Sequence, residues 1–381
     1  MNPIILQQPR RILFGSDTFK QTPAEVDLVG GRRVFVVTTG FLLEQARSLV
    51  ADLRAQDIAA EIFSGIEIEP DIGLFKQVLE AGRTFDFDTV VGLGGGSVLD
   101  VAKLVAAFRT GSAAVEEAFG IGLLKGRSAG LICIPTTSGT GSEVSPNAIL
   151  LDPSDRLKKG VVSPFLVPDT AIIDPLLTVS VPPAITAATG LDAMVHCMEA
   201  YANLHAHPTV DLYALEGIRR IAPNLLRAVK DGQDLEARGS LSLGSLYGGL
   251  CLGPVNTAAV HALSYPLGGE FHVPHGVSNT LLLPHVFRFN LEAAPDRYAT
   301  IARTLGVTDQ GSDHATASAG IDRLVELSVA CGLPQHLREV GVKESDLPHL
   351  ADESMKVTRL LKNNPRPMTR DDAESIFRAA W

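Results

Sequence analysis

The sequence is poor in cysteine. Its 381 residues hold four, Cys133, Cys197, Cys251 and Cys331, and no two form a CxxC pair. That pattern excludes a disulfide framework and fits free thiols in a reducing compartment. There is no run of about 20 uninterrupted apolar residues, so no membrane-spanning helix is expected. The opening segment MNPIILQQPRRILFG lacks a long apolar stretch behind positive charge, so no secretory signal is expected and a cytoplasmic location is the default. Positive charge is also scarce: 33 Lys and Arg face 43 Asp and Glu, a net charge of −10. An acidic chain is a poor match for nucleic acid or an anionic membrane. Apolar residues are not scarce. At 45% hydrophobic and 20% charged, the chain can bury a sizeable core, which excludes global disorder.

The length suits two domains or one large one. Up to about residue 180, short β-branched or apolar runs alternate with helical patterns. RRVFVVTT (32–39), AAEIF (59–63), DTVVGLG (88–94), GLICIP (130–135) and TAIID (170–174) read as strands. Residues 41–56, GLFKQVLEAGR (73–83) and VLDVAKLVAAF (98–108) read as helices. AILLD and GVVSP (148–164) pair as a hairpin around PSDRLKK. Strands alternating with helices imply a parallel sheet covered on both faces. After Pro182 and Pro183 the 3.6-residue period dominates, as in VDLYALEGIRRIAPNLLRAV (210–229). The expected organisation is an α/β domain over 1–183 and an all-helical domain over 184–381.

Two turns in the first domain suit a nucleotide. In VVGLGGGSVLDVAK (90–103) a strand runs into Gly94, Gly95 and Gly96, and Ser97 opens a helix. Glycines admit a close ligand, and a helix start offers free N–H groups to a diphosphate. The plainer reading is a tight turn with Ser97 as helix cap. The spacing is not G-x-G-x-x-G, because Ser97 replaces the third glycine. In PTTSGTGSE (135–143), Thr136, Thr137 and Thr140 supply hydroxyls between glycines. That loop either wraps phosphate or ribose or is a surface loop. The first strand ends in Thr38, Thr39 and Gly40, with no acid before Glu44 to grip a ribose 2′-OH.

The second domain carries metal-ligand chemistry. In GLDAMVHCMEAY (190–201), Asp192 and His196 are four apart and share a helix face. A cap or a plain hydrogen bond is the commoner use of such a pair. Downstream, HALSYPLGGEFHVPHGVSNTLLLPH (261–285) concentrates four of the chain's ten histidines. A helix bearing His261 and a turn bearing His275, between Pro274 and Gly276, complete a set of three imidazoles and one carboxylate. That set suits Zn²⁺ or Fe²⁺, not Mg²⁺ or Ca²⁺. His272 reads as exposed and His285 as a core histidine. Tyr265, Leu267, Phe271 and Val273 either line an apolar substrate pocket or belong to the core.

PRRILFG, GGGSVLDVAK, PTTSGTGSEV, PDTAIIDP, GLDAMVHCMEAY and HALSYPLGGEFHVPHGVSN together resemble the iron-containing (group III) alcohol dehydrogenases, of dehydroquinate synthase-like fold. The resemblance spans nearly the whole chain. It implies a parallel-sheet dinucleotide-binding core and a helical metal-binding domain. Asp192, His196, His261 and His275 match the family's metal ligands. Thr39, Gly94, Gly95, Gly96, Ser97, Asp100, Thr136, Thr137 and Thr140 fall in its cofactor segments, and Lys158 matches its lysine near the cofactor, with Lys159 adjacent. It implies Fe²⁺ or Zn²⁺, NAD or NADP, and a homodimer acting on a small molecule. Two positions depart from the pattern. Thr39 replaces an acid found in many NAD-preferring members, which leaves NADP open. Tyr265 replaces a histidine linked to proton handling in some members. Asp192 argues against the maleylacetate reductase branch.

An ion held by one carboxylate and three neutral imidazoles keeps a net local charge of +1, which polarises a carbonyl and favours ionisation of an alcohol. The expected activity is therefore hydride transfer between NAD(P) and a small alcohol, aldehyde or ketone. The alternatives are a glycerol dehydrogenase-like zinc enzyme, a dehydroquinate synthase-like lyase and a non-catalytic nucleotide-binding scaffold.

Overall fold

Along β2 (Arg33–Val37), successive side chains enter different cores. Val34 and Val36 join one cluster with Leu49 and Ile132, while Phe35 and Val37 join another with Phe75 and Leu131. A strand buried on both faces must be covered by helices on both, which is why these runs are apolar without interruption. The structure is a computed structural model describing residues 3–67, 69–111, 113–154 and 157–381.

The chain divides into two units. The first comprises Leu6–Thr137 and Gly141–Val179. Besides β2, its central strands are β1 (Arg11–Phe14), β3 (Ala59–Phe63), β4 (Thr89–Gly94), β6 (Gly130–Pro135) and β9 (Thr170–Ile173). They form one parallel sheet in the order β1-β9-β6-β4-β2-β3. Helices α1 (Thr22–Leu28), α2 (Leu43–Arg54), α3 (Ile72–Phe85) and α4 (Gly96–Phe108) cover it. The short β5 (Gly120–Ile121), with β7 (Asn147–Asp152) and β8 (Leu157–Val162), makes a second sheet in the order β5-β8-β7. The hairpin expected at 148–164 is the antiparallel β7–β8 pair. Asp155 and Arg156, in its turn, lie outside the described residues.

Parallel register sets the ends of β2, β4 and β6 side by side, with Val37 opposite Gly92 and Gly94 opposite Pro135. Three turns therefore leave the sheet at one edge, where open α/β sheets bind ligands. Glycine is required there. A Cβ at Gly92 would sit 2.8 Å from Ala102, and one at Gly94 would sit 2.7 Å from Val98, so α4 could not lie as close on β4.

The second unit comprises Met1–Ile5, Ser138–Thr140 and Ser180–Trp381. It is helical: α5 (Pro183–Tyr201), α6 (Pro208–Lys230), α7 (Leu235–Leu252), α8 (Ala259–Phe271), α9 (His275–Leu291), α10 (Pro295–Thr304), α11 (Asp313–Ala330), α12 (Leu347–Met355), α13 (Thr358–Leu361) and α14 (Arg370–Ala380). Helix α5 is buried on nearly all sides, against α6, α7 and α9. A helix apolar all round belongs inside a bundle. Its polar residues therefore need partners.

Candidate functional site

Asp192 and His196 sit one turn apart on buried α5, and the site is built around them. His261 arrives on the first turn of α8. His275 is not in a turn, as its flanking Pro274 and Gly276 suggest; it opens α9, with Pro274 as the preceding cap residue. Gly276 explains how α9 comes so near. A Cβ there would lie 2.2 Å from the carbonyl oxygen of Ala188 on α5. Only glycine lets that helix start touch the α5 backbone.

The donor atoms converge. His261 Nε2 and His275 Nε2 each lie 3.6 Å from Asp192 Oδ1, and His196 Nε2 lies 3.9 Å from it. Ligand atoms of Asp192, His261 and His275 all fall within 4.8 Å of one another. The His196 ring stacks on that of His261 at 4.7 Å. Donors about 2.1 Å from a tetrahedral ion stand roughly 3.4 Å apart, so these spacings fit a divalent metal. The side chain of His275 is 29% exposed, against 3% for Asp192. The site is thus open beside His275.

Two further buried residues complete the cluster. Glu199, one turn beyond His196, lies 2.6 Å from His261 Nδ1 through Oε2, and its Oε1 accepts the Val260 N–H at 2.7 Å. Asn279, one turn beyond His275, donates from Nδ2 to Asp192 Oδ1 at 2.7 Å. The same nitrogen stands 3.2 Å from His261 Nε2 and 3.3 Å from His275 Nε2, while its Oδ1 is buried without a partner. An amide with two hydrogens faces three acceptors, as a cation would. Both residues have a signal in the sequence: Glu199 is seven residues after Asp192 and Asn279 four after His275, on the helix faces that carry Asp192 and His275.

Charge in the cluster is shared. Burial pushes the His196 imidazole down to about 4, with Asp192 pulling the other way. Burial also opposes the charge on His261, but its bonds to Asp192 and Glu199 outweigh that and raise it to about 10. Burial acts to raise the Asp192 carboxyl; the surrounding histidines prevail and hold it below its ordinary range. Two buried carboxylates thus need a cation among these imidazoles, whether a proton or a metal.

The nucleotide-type turns belong to the first unit. Helix α4 starts after Gly95 with no side-chain cap, so Ser97 is a first-turn residue rather than the cap. The free N–H groups and the absence of acid in that first turn suit a diphosphate. A Cβ at Gly95 would approach Thr137 Oγ1 to 3.4 Å, and the Thr136 N–H donates to the Gly94 carbonyl at 3.0 Å. Gly94, Gly95, Thr136 and Thr137 thus sit side by side. Thr140 is half-buried in the helical unit. Asp100 is turned inward: it accepts from Ser142 Oγ at 2.5 Å and from the Ile149 N–H at 2.9 Å, bracing the loop that follows the threonines. Lys158 pairs with Glu69, whereas Lys159 points the other way to Asp152 at 2.7 Å. Thr39 bridges to Gly65, and this contact brings in an acid that the linear sequence does not place there. Glu67 Oε1 lies 3.0 Å from where a Cβ of Gly40 would be.

Of the residues weighed as pocket lining, Leu267 and Val273 are core, while Tyr265 and Phe271 are only partly buried. His272 is exposed, in the left-handed conformation that ends α8. His285 is half-buried, and burial lowers it to about 4.

The comparisons agree along the whole chain. Residues 9–175 match the family model Iron-containing alcohol dehydrogenase, and residues 186–381 match Fe-containing alcohol dehydrogenase family, C-terminal. Long-chain-alcohol dehydrogenase 1 of Geobacillus thermodenitrificans is 36% identical, over 96% of this chain and 94% of that protein. Sulfoacetaldehyde reductase of Bilophila wadsworthia is 33% identical, over 97% of each. The crystal structure of a 1,3-propanediol oxidoreductase superposes with a TM-score of 0.96 at 35% identity, covering 100% of both chains. These relatives do not favour the lyase reading. This chain belongs to the iron-containing alcohol dehydrogenase family.

Proposed function

We propose that this chain is a metal-dependent alcohol dehydrogenase that uses NAD(H) and holds one Fe²⁺, or Zn²⁺ in its place, on Asp192, His196, His261 and His275. The carrying observation is the spacing of three imidazole nitrogens at 3.6 to 3.9 Å from one buried carboxylate oxygen. When bound, the ion supplies Lewis acidity at the substrate oxygen, and the nicotinamide gives or takes the hydride. The chain's own residues do the rest. Glu199 orients the His261 ring through Nδ1 and leaves Nε2 for the ion. Asn279 steadies the Asp192 carboxylate. The buried walls keep water from three of the four ligands, so a small alcohol or aldehyde enters beside His275.

In the first unit, Gly94, Gly95, Gly96, Ser97, Thr136 and Thr137 hold the cofactor diphosphate, and Thr39 and Lys158 flank its ribose. Glu67 beside Gly40 supports NAD(H) over NADP(H), because a carboxylate accepts a ribose 2′-OH and repels a 2′-phosphate. No helix among the described residues is long and apolar enough to cross a membrane. The proposal extends to the cytoplasmic homodimer that the composition and the family resemblance imply.

The test is direct. Protein loaded with Fe²⁺ or Zn²⁺ is assayed on short alcohols and aldehydes with both cofactors, beside His261→Ala. Wild type should turn over with a full complement of metal, and His261→Ala should lose most of both. An unimpaired, fully loaded His261→Ala protein overturns the ligand assignment.

A further inference from the structure

Tyr265 follows His261 by four residues on α8, so both side chains leave one face a turn apart. Its ring lies 6.2 Å, centroid to centroid, from that of His275. Its hydroxyl accepts a long hydrogen bond, 3.4 Å, from Arg359 Nη2 on α13, a helix packed against α8. A ligand imidazole, a phenol and a guanidinium thus form a row inside the helical unit.

Arg359 differs from the other buried and half-buried arginines in what it lacks. Arg297 pairs with Asp211, and Arg370 pairs with Asp352 and Glu374. Buried or half-buried arginines without a carboxylate use backbone carbonyls instead, as Arg238 uses Gly232 and Val181, and Arg366 uses Phe289. Among the described residues, Arg359 has neither. It is half-buried and bonded to one neutral hydroxyl. A guanidinium has five donors and cannot shed its charge. Keeping them partly out of water is unfavourable unless an anion meets them.

We propose that Arg359 selects substrates bearing a carboxylate or sulfonate at the end remote from the reacting carbon, with Tyr265 aiming the guanidinium toward His275. The inference rests on the proposed function, which sets the reacting oxygen at the four donors. The planar fork of arginine matches paired oxygens of either anion.

The test uses metal-loaded protein with NADH. kcat/KM is measured for 4-oxobutanoate, 3-oxopropane-1-sulfonate and uncharged butanal, in wild type, Arg359→Met, Arg359→Lys and Tyr265→Phe. In parallel, calorimetry without cofactor gives Kd for 4-hydroxybutanoate and for 1-butanol. Wild type should favour an anionic aldehyde over butanal by about 10- to 100-fold, the scale of a charge-assisted pair. Whichever anion gains more names the group. Arg359→Met should erase most of that ratio and weaken 4-hydroxybutanoate by a similar factor. Arg359→Lys, which keeps the charge without the fork, should fall between, and it carries the test if the methionine variant does not fold. Tyr265→Phe should lower the ratio severalfold. Preference for butanal in wild type, or a ratio and Kd indifferent to residue 359, overturns the inference. Absence of metal binding and of turnover with every aldehyde defeats the proposed function instead.

Discussion

Glu199 holds His261 from behind: the carboxylate oxygen and the ring Nδ1 are 2.6 Å apart, and both groups are buried. A second carboxylate oxygen fixed by the Val260 N–H makes this a rigid brace rather than a loose contact. Such a partner sets the tautomer, so that Nε2 keeps a lone pair for the proposed ion. Glu199→Gln keeps the shape but removes the charge. Its metal affinity should fall about 10- to 100-fold, read by competition with a chelator. Wild-type affinity in a folded variant would mean that Glu199 only packs.

Gly276 governs how close α9 comes to α5. A methyl there would meet the Ala188 carbonyl oxygen at 2.2 Å, and neither backbone can yield cheaply. Gly276→Ala should lower stability by about 1–3 kcal/mol, the usual scale of overpacking. It should also displace His275, the adjacent residue. The expected result is a lower Tm together with weaker metal binding. A loss of stability with metal affinity unchanged would show that His275 is not a ligand.

Much of this was legible in the residues, for identifiable reasons. The uninterrupted apolar run in RVFVV and the glycines after VGL reflect local geometry, and so does the spacing of Asp192 and His196 on one helix face. What the sequence hides depends on segments distant along the chain. Among the described residues, strand β1 pairs only with β9, Arg11 opposite Thr170, and four residues of mixed exposure give no period to read. Glu199 looks like an ordinary helix carboxylate until α8 brings His261 to it. Glu67 reaches Gly40 only because Thr39 bridges to Gly65. Leu267 and Val273 sit among the histidines in sequence yet face the bundle core.

Glu143, at the end of the threonine loop, is buried, and burial raises its carboxyl to about 7 from an ordinary 4.5; nearby Lys103 pulls against this. The folded state therefore prefers the proton. That preference stabilises the fold fully below about pH 4.5 and is lost as pH rises through 7. Above pH 7 the penalty is on the order of 3 kcal/mol at most. Glu143→Gln removes the titration without changing shape. Relative to wild type it should gain stability from pH 5 to pH 8, seen in urea midpoints. A difference that stays flat across that range would mean that Glu143 ionises as freely folded as unfolded.

On the proposed placement of the ribose, cofactor choice turns on charge at the end of β2. Thr39 offers only a hydroxyl, and the carboxylate beside Gly40 comes from Glu67 on the neighbouring loop. If that carboxylate meets the ribose, its removal helps a 2′-phosphate, and a second acid at position 39 excludes one more strongly. Glu67→Gln should therefore tighten NADPH relative to NADH, and Thr39→Asp should do the reverse. Each should shift the ratio of the two Kd values by about 10-fold, the scale of one exposed charge–charge contact. Fluorescence titration of the reduced cofactors reads this without turnover or metal. If Thr39→Asp moves the ratio and Glu67→Gln does not, the strand end is the ribose site but Glu67 faces solvent. If neither moves it, the 2′ position lies elsewhere and the placement of the ribose beside Thr39 fails.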